Sequence, residues 1–283
     1  MISKTEQSAD LESIEIDLLL EAIFLRYGYD FRSYARASIE RRIKLFLSSS
    51  GCSSISGLIP NVLHDKDFFS RLIRYFSVSV TEMFRDPAVY SAVREKVVPL
   101  LKSWPHIKIW LAGCATGEEV YSLAILLKEE GLYERATIYA TDFSDEALEH
   151  AREGIYDPAK LQEATRNYQR AGGKRSFSEY YLARYDAAAM DAALRERVVF
   201  SGHNLAMDGV FGEMHLIFCR NVLIYFNRDL QNRALHLFTD SLVHGGYLCL
   251  GTKETLQFTD VSRCYDTVDS KARIYKKRFC HDG

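Results

Sequence analysis

Apolar positions recur at helical spacing through the first eighty residues. Leu19, Ala22, Ile23 and Arg26 share one face of a run that Gly28 stops. A second helix is expected over about residues 32–47, with Ala35, Ile39, Ile43 and Phe46 at i, i+4, i+8 and i+11. A third, short one is expected near Ile55 to Leu63, and a fourth carries Phe69, Leu72, Ile73 and Phe76. No strand pattern precedes residue 100. The rhythm changes after Pro105. Ile107 to Ala112, Thr137 to Thr141, Met214 to Cys219, Tyr247 to Gly251 and Ala272 to Lys276 read as strands. Helices start at Val120, after the Ser144 cap, and at Asn227, the last ending near Gly245 and Gly246. Strands alternating with helices predict a mostly parallel, doubly wound α/β sheet behind a small helical domain. The border is placed in the stretch from Ser77 to Pro99. Lys174 to Val199 interrupts the rhythm and reads as a hairpin or an irregular insertion.

Composition narrows the class. The chain has 283 residues, 47% apolar and 26% charged, and a chain of this length buries roughly 75% of its unfolded surface without staples. A disulfide mini-scaffold and a disordered tail are thereby excluded. The net charge of −2 argues against a dedicated nucleic-acid binder. The six cysteines, at 52, 114, 219, 249, 264 and 280, form no C-x-x-C pair, which speaks against zinc and for a reducing compartment. No signal peptide is expected at the N-terminus. The longest apolar run, Leu216 to Phe226, is broken by Arg220 and Asn221 and falls far short of the ~20 residues of a membrane span.

Five stretches carry candidate chemistry. In Ile109-Trp-Leu-Ala-Gly-Cys-Ala-Thr-Gly-Glu-Glu119 a strand runs through a Gly-x-x-x-Gly loop into a helix. It is neither the dinucleotide fingerprint nor a P-loop. Glu118 and Glu119 occupy the turn where a polyphosphate would sit, so the loop suits a cationic ligand or is a plain strand–helix turn. Asp142 ends the next strand, 25 residues after Gly117. An acid about 20 residues on can accept both ribose hydroxyls; otherwise it caps a helix, a role for which Ser144 already stands. Arg220 and Asn221 interrupt Phe218-Cys-Arg-Asn-Val-Leu-Ile-Tyr-Phe226 at a strand end, where burial without partners is costly. They belong to a cleft or to a structural ion pair, and Tyr225 to core or site. Ser77-Val-Ser-Val-Thr81-Glu-Met-Phe-Arg85-Asp-Pro87 places an arginine in the linker, as an anion clamp or a surface pair. Arg32, Arg36, Arg41, Arg42 and Lys44 make the second helix basic, as a solvated face or as a docking surface. His203 and His215 lack the partners of a metal site, and Cys114 and Cys219 read as strand-end packing.

Together these stretches resemble the chemotaxis receptor methyltransferases, the CheR family, in order from about Asp17 to Lys277. The resemblance rests on Ile39-Glu-Arg-Arg-Ile43, Thr81-Glu-Met-Phe-Arg85-Asp, Ala115-Thr-Gly-Glu-Glu-Val-Tyr-Ser122, Ala140-Thr-Asp142, His203-Asn-Leu205 and Phe218-Cys-Arg-Asn-Val-Leu-Ile-Tyr225. It implies a class I methyltransferase using S-adenosylmethionine (SAM), giving S-adenosylhomocysteine and needing no metal. The implied reaction is O-methylation of glutamate side chains on the cytoplasmic helices of chemoreceptors. Alternatives are a SAM enzyme with another acceptor, such as RNA, and a non-catalytic SAM-sensing or docking module.

The resemblance further implies residue roles. Glu119 holds the methionyl amino end, with Glu118 its less certain neighbour; Asp142 takes the ribose diol, and Asn204 and Leu205 lie beside the adenine. Arg220 and Asn221 line the other side of the cleft. Thr81 and Arg85 reach a carboxylate of cofactor or substrate, Ser79 contacts the cofactor, and Tyr225 sits near the transferring methyl. Receptor docking falls to Arg41, Arg42 and Lys44, with no nucleic acid and no membrane insertion. The implied location is the cytoplasm, at membrane-associated receptor arrays. The implied domains are residues 1–80, helical and docking; 81–99, a linker contributing to the site; and 100–283, the SAM-binding domain with an insertion near 174–200. His215 departs from the acid usual in the family and is expected to alter packing only. Ser79 replaces the Asn of some relatives.

Overall fold

The computed structural model describes residues 4–76 and 81–278, with the backbone alone for 4–9. The chain divides into two compact units. One takes Met1–Val78 and Tyr225–Gln231; the other takes Ser79–Ile224 and Asn232–Gly283.

The first unit is helical: α1 (Lys4–Tyr27), α2 (Arg36–Ser50), α3 (Leu58–His64) and α4 (Lys66–Phe76). Gly28, at φ 77°, ends α1, and Gly51, at φ 78°, ends α2. The buried face of α1 is Ile16, Leu19, Leu20 and Ile23, so the stripe read through Ala22 and Arg26 is rotated: Ala22 is half-buried and Arg26 exposed. Ile39, Ile43 and Phe46 of α2 face inward as the spacing predicts. They meet Leu58, Val62, Leu72 and Phe76 in the buried set of this unit.

The structure corrects one docking residue. Arg42 is buried, not on the outer face with Arg41 and Lys44. It lies three residues after Ile39, and i+3 returns to the same side of a helix. Its Nη1 donates to the Phe76 carbonyl. Its guanidinium lies 4.6 Å from the ring of Tyr225, and Nη2 has no hydrogen-bond partner among the described residues. Burial pulls its pKa down. Lys44 is exposed but pairs with Glu12 at 2.5 Å.

The second unit opens with α5 (Pro87–Ala92), a π-helical turn (Val93–Val97) and α6 (Val98–Leu101). Then follow β1 (Ile107–Ala112), α7 (Glu118–Glu129), β2 (Ala136–Asp142), α8 (Asp145–Glu153), β3 (Ile155–Tyr156), α9 (Leu161–Arg170), β4 (Tyr181–Arg184) and β5 (Ala187–Met190). The chain continues through β6 (Val198–Gly202), β7 (Met214–Cys219), α10 (Arg228–Ser241), β8 (Leu242–Leu250), β9 (Tyr265–Asp269) and β10 (Ile274–Lys277). The main sheet has the order β6-β2-β1-β7-β8-β10-β9. β6, β2, β1, β7 and β8 run parallel, and β10 is antiparallel to both of its neighbours. β1 and β7 are buried on both faces, which is why they read as apolar runs without alternation. The chain moves outward from β1 through β2 to β6, then returns to β7 on the other side. The strand order therefore reverses between β1 and β7, and ligands of open α/β sheets bind at the carboxyl ends beside such a reversal.

The insertion begins earlier than its sequence suggests and ends sooner. Its small antiparallel sheet, β3-β5-β4, starts at Ile155. Val198–Gly202 belongs instead to the main sheet, in parallel register with Ile138–Asp142. A two-residue strand leaves no periodic signal, and the half-exposed edge strand β6 looks like a continuation of the irregular stretch. The buried Glu129 holds the insertion to α7: it accepts from the Tyr168 and Tyr180 hydroxyls and the Lys174 amide, and it pairs with Arg94. His215 proves a packing residue. Its Nδ1 accepts the Lys108 amide at 3.0 Å, and its ring lies edge-on to Trp104. No helix among the described residues is long and apolar enough to cross a membrane.

Candidate functional site

The loop after β1 is built by hydrogen bonds to the end of β2. Gly113 and Cys114 donate their amides to the Thr141 carbonyl at 2.8 and 2.9 Å. Ala115, at φ 48°, donates to Asp142 Oδ2 at 2.9 Å. Asp142 Oδ1 accepts the Ser144 amide at 3.0 Å, and the Ser144 hydroxyl accepts from Ala147 as the cap of α8. By sequence Asp142 is a cap or a ligand; in the structure the cap is Ser144. Burial raises the Asp142 pKa against the pull of these amides. Its oxygens accept the Ala115 and Ser144 amides at 2.9 and 3.0 Å, with the Phe143 amide also bonded to the carboxylate, and a carboxylate has about four lone-pair sites.

The loop has no room for side chains at its glycines. Gly117 sits at φ 91°, and a Cβ there would lie 2.7 Å from the Ala151 Cβ of α8 and 2.9 Å from its Cα. Gly117→Ala is expected to cost about 1–3 kcal/mol in backbone strain and to push the loop from α8. Thermal unfolding should show the loss, and titration with SAM should show at least a tenfold weaker affinity. Unchanged affinity would remove the tight loop from cofactor binding.

The two acids after Gly117 point apart. Glu118 is buried and accepts from the Thr116 hydroxyl at 2.7 Å; burial raises its pKa. It lines a cavity of about 230 Å³ with Thr81, Met83 and Tyr156. Glu119 accepts from the Tyr90 hydroxyl at 3.2 Å and pairs with Arg220 at 2.5 Å. Arg220 also reaches Asp86 at 2.7 Å, and its side chain is 1% exposed. Burial disfavours the Arg220 cation, but the Glu119 charge more than reverses this and its pKa rises. Burial also pushes the Tyr90 hydroxyl well up, with Glu119 adding to the effect. Arg220, read as the far wall of a cleft, is thus tied directly to Glu119.

Arg85 stands between two residues in the left-handed region, Phe84 at φ 52° and Asp86 at φ 55°. Such conformations are rare outside glycine and concentrate at functional sites. They are held from outside: the Phe84 amide donates to the Ser122 hydroxyl at 2.8 Å, its ring packs on Tyr90, Tyr168 and Phe177, and Asp86 is clamped by Arg220. Asn221, at φ 61°, follows Arg220. Asn204 spends its side-chain oxygen on the Ala206 amide at 2.9 Å, and Leu205 is buried. Cys114 and Cys219 are buried, and burial raises both thiols well above the ordinary range, as packing residues rather than nucleophiles.

The second unit therefore brings together Glu119 and Arg220, and Asp142 with the glycine loop. It also holds Thr81, Arg85, Asn204, Leu205 and Asn221. Tyr225 falls in the helical unit, where its carbonyl accepts the Ala35 amide at 2.8 Å. Ser79 lies outside the described residues. Sequence reasoning misses Asp86 and Tyr90. Asp86 adjoins a residue already chosen, and Tyr90 follows it by one helical turn, but neither has a motif of its own.

Two family descriptions match the chain: "CheR methyltransferase, SAM binding domain" over residues 79–272 and "CheR methyltransferase, all-alpha domain" over residues 14–77. A protein named putative methyltransferase Cher3, from Pseudomonas putida, is 53% identical over 93% of this chain and 97% of its own length. Chemotaxis protein methyltransferase 1 of Vibrio cholerae is 31% identical over 77% of this chain and 80% of its own. Among solved structures, the N-methyltransferase NodS of Bradyrhizobium japonicum with S-adenosylhomocysteine aligns at TM-score 0.40 and 12% identity, over 70% of this chain and 89% of that one.

Proposed function

The chain belongs to the CheR methyltransferase family and is a SAM-dependent methyltransferase of class I fold, and from that premise we propose that its acceptor is the ionised carboxylate of glutamate side chains on the cytoplasmic helices of a chemoreceptor. The residues of the β1 loop fit the cofactor. Gly113 and Gly117, both at positive φ, let the loop pack tightly against Val222 and Ala151. Asp142 keeps acceptor capacity for a ribose diol, and Glu119 supplies negative charge for an ammonium group. SAM, when bound, supplies an electrophilic methyl group on a sulfonium.

The acceptor is argued from the state of the carboxylates. Glu118 accepts from Thr116, Glu119 from Arg220 and Tyr90, and Asp142 from the Ala115, Phe143 and Ser144 amides. The Tyr90 hydroxyl is held protonated. Glu119 is committed to Arg220 and Tyr90, so neither it nor the Tyr90 hydroxyl is free to take a proton from an amine or a hydroxyl. A glutamate side chain, with a pKa of about 4.3, arrives ionised and needs no base. What remains is orientation of carboxylate oxygen against methyl carbon, a task that can lower a barrier by about 7–11 kcal/mol. Thr81 and Arg85 are assigned to carboxylate contact, Asn204 and Leu205 to the adenine, and Arg220 and Asn221 to the cofactor cleft. In the helical unit, Arg41 and Lys44 are the exposed cations assigned to the receptor. The name of the Vibrio cholerae relative supports a chemotaxis substrate.

The test uses SAM with a labelled methyl group, purified protein and membranes bearing candidate receptors. Label on a receptor band that alkali releases as volatile methanol is the expected result, because carboxyl methyl esters hydrolyse in base. Alkali-stable label, or label on RNA, would overturn the ester reading.

A further inference from the structure

The loop between β7 and α10 carries Arg220 and Asn221, followed by a short 3-10 turn at Leu223–Tyr225. Its backbone is organised by a carboxylate from another loop. Glu254 is 4% exposed, three residues beyond Gly251 in the loop after β8. Its Oε2 accepts the Gly251 amide at 2.6 Å and the Asn221 amide at 3.1 Å, and its Oε1 accepts the Ile224 amide at 3.3 Å. The Leu223 amide also bonds to it. Its own amide closes the turn on the Gly251 carbonyl at 2.8 Å. One buried anion thus collects amides from two loops that follow the paired strands β7 and β8, joined at Cys219 and Leu250.

The packing is specific to this arrangement. A Cβ on Gly251 would lie 2.7 Å from the Asn221 nitrogen and 2.7 Å from Glu254 Oε2. Asn221 sits at φ 61°, a left-handed conformation that asparagine adopts more readily than most other non-glycine residues. The amides directed at Glu254 hold the turn in that conformation; burial raises the pKa of the carboxyl, and these hydrogen bonds oppose the rise. Val222 of the same turn fills the space that a Cβ on Gly113 would take, with Cγ2 at 2.5 Å from that point. The turn is therefore gripped between the β1 loop and Glu254.

We propose that Glu254 is a positioning residue for the cofactor site: its carboxylate fixes the turn that presents Arg220 and Asn221, without itself touching SAM. This rests on the assignment of Arg220 and Asn221 to the cofactor cleft. Glu254→Gln keeps the size of the side chain but replaces one acceptor oxygen with an NH2 group that faces amide donors. The probes are amide hydrogen exchange and calorimetric titration with SAM, neither of which needs the acceptor. The expected result is that the Asn221, Ile224 and Gly251 amides lose protection, β1 and β7 amides keep theirs, and SAM binds at least tenfold more weakly. Glu254→Asp, which retains the charge, should recover part of that affinity, and it carries the same readouts if the Gln variant does not fold. Retained protection at the three amides would overturn the pin. Lost protection with unchanged SAM affinity would leave the pin standing and remove the turn from the cofactor site, which overturns the positioning role. Loss of protection throughout β1 and β7 as well would reduce Glu254 to general stability and overturn the proposal.

Discussion

Arg220→Met is expected to destabilise the chain by about 3–5 kcal/mol, the usual penalty for removing one partner of a buried ion pair. The guanidinium is 1% exposed and touches both Glu119, 14% exposed, and Asp86. Methionine roughly fills the volume but leaves the half-buried Glu119 with the Tyr90 hydroxyl as its remaining hydrogen-bond partner among the described residues. The penalty therefore belongs mostly to the stranded anion. That assignment has a consequence for Glu119→Gln combined with Arg220→Met: neutralising the anion should restore part of the lost stability, so the double variant is more stable than the sum of the single losses implies. SAM binding should not return with it, because the negative charge assigned to the methionyl ammonium is gone. Urea unfolding midpoints and SAM titrations of the four proteins test both halves. Strictly additive stability losses would show that the two charges are not coupled, and recovered SAM affinity would take Glu119 out of the cofactor site.

The legible parts of this protein are those written by local pattern. β1 and the Gly113–Gly117 loop are visible because a fully buried strand is an unbroken apolar run and a tight loop needs glycine. Asp142 is visible because it ends the next strand. Arg42 is misplaced when its charge is weighed and its helical position is not: i+3 from Ile39 puts it inside, over Tyr225. The ion network is invisible for another reason. Arg220 meets Glu119 across 101 residues and Asp86 across 134, and no periodicity relates positions so far apart. Glu254 is less legible still, since its partners are backbone amides, which every residue but proline possesses. Its side chain marks no motif, and only the fold discloses what it accepts from.

The same distinction bears on Arg85, whose importance comes from resemblance while the structure supplies a reason for its placement. Phe84 and Asp86 are both held at positive φ, and each is anchored by groups other than Arg85: Ser122 and an aromatic cluster for the first, Arg220 for the second. Two such residues cost about 1–3 kcal/mol each; at Phe84 the conformation sets the ring in the buried aromatic cluster, and the half-buried Arg85 lies between the two. Truncating Arg85 should therefore leave the turn in place. Arg85→Ala is expected to keep the fold, while methyl transfer falls about 10²–10³-fold, the scale for losing one preorganised electrostatic contact. Arg85→Lys should restore only a fraction, because an ammonium keeps the charge but not the planar fork that holds a carboxylate by two bonds. The cofactor titration then assigns the carboxylate. A fall in turnover with SAM affinity intact places Arg85 on the acceptor, whereas a parallel loss of SAM affinity places it on the methionyl carboxylate. An unchanged methylation rate in Arg85→Ala would remove it from the mechanism and leave the strain at Phe84 and Asp86 to serve Arg220 alone.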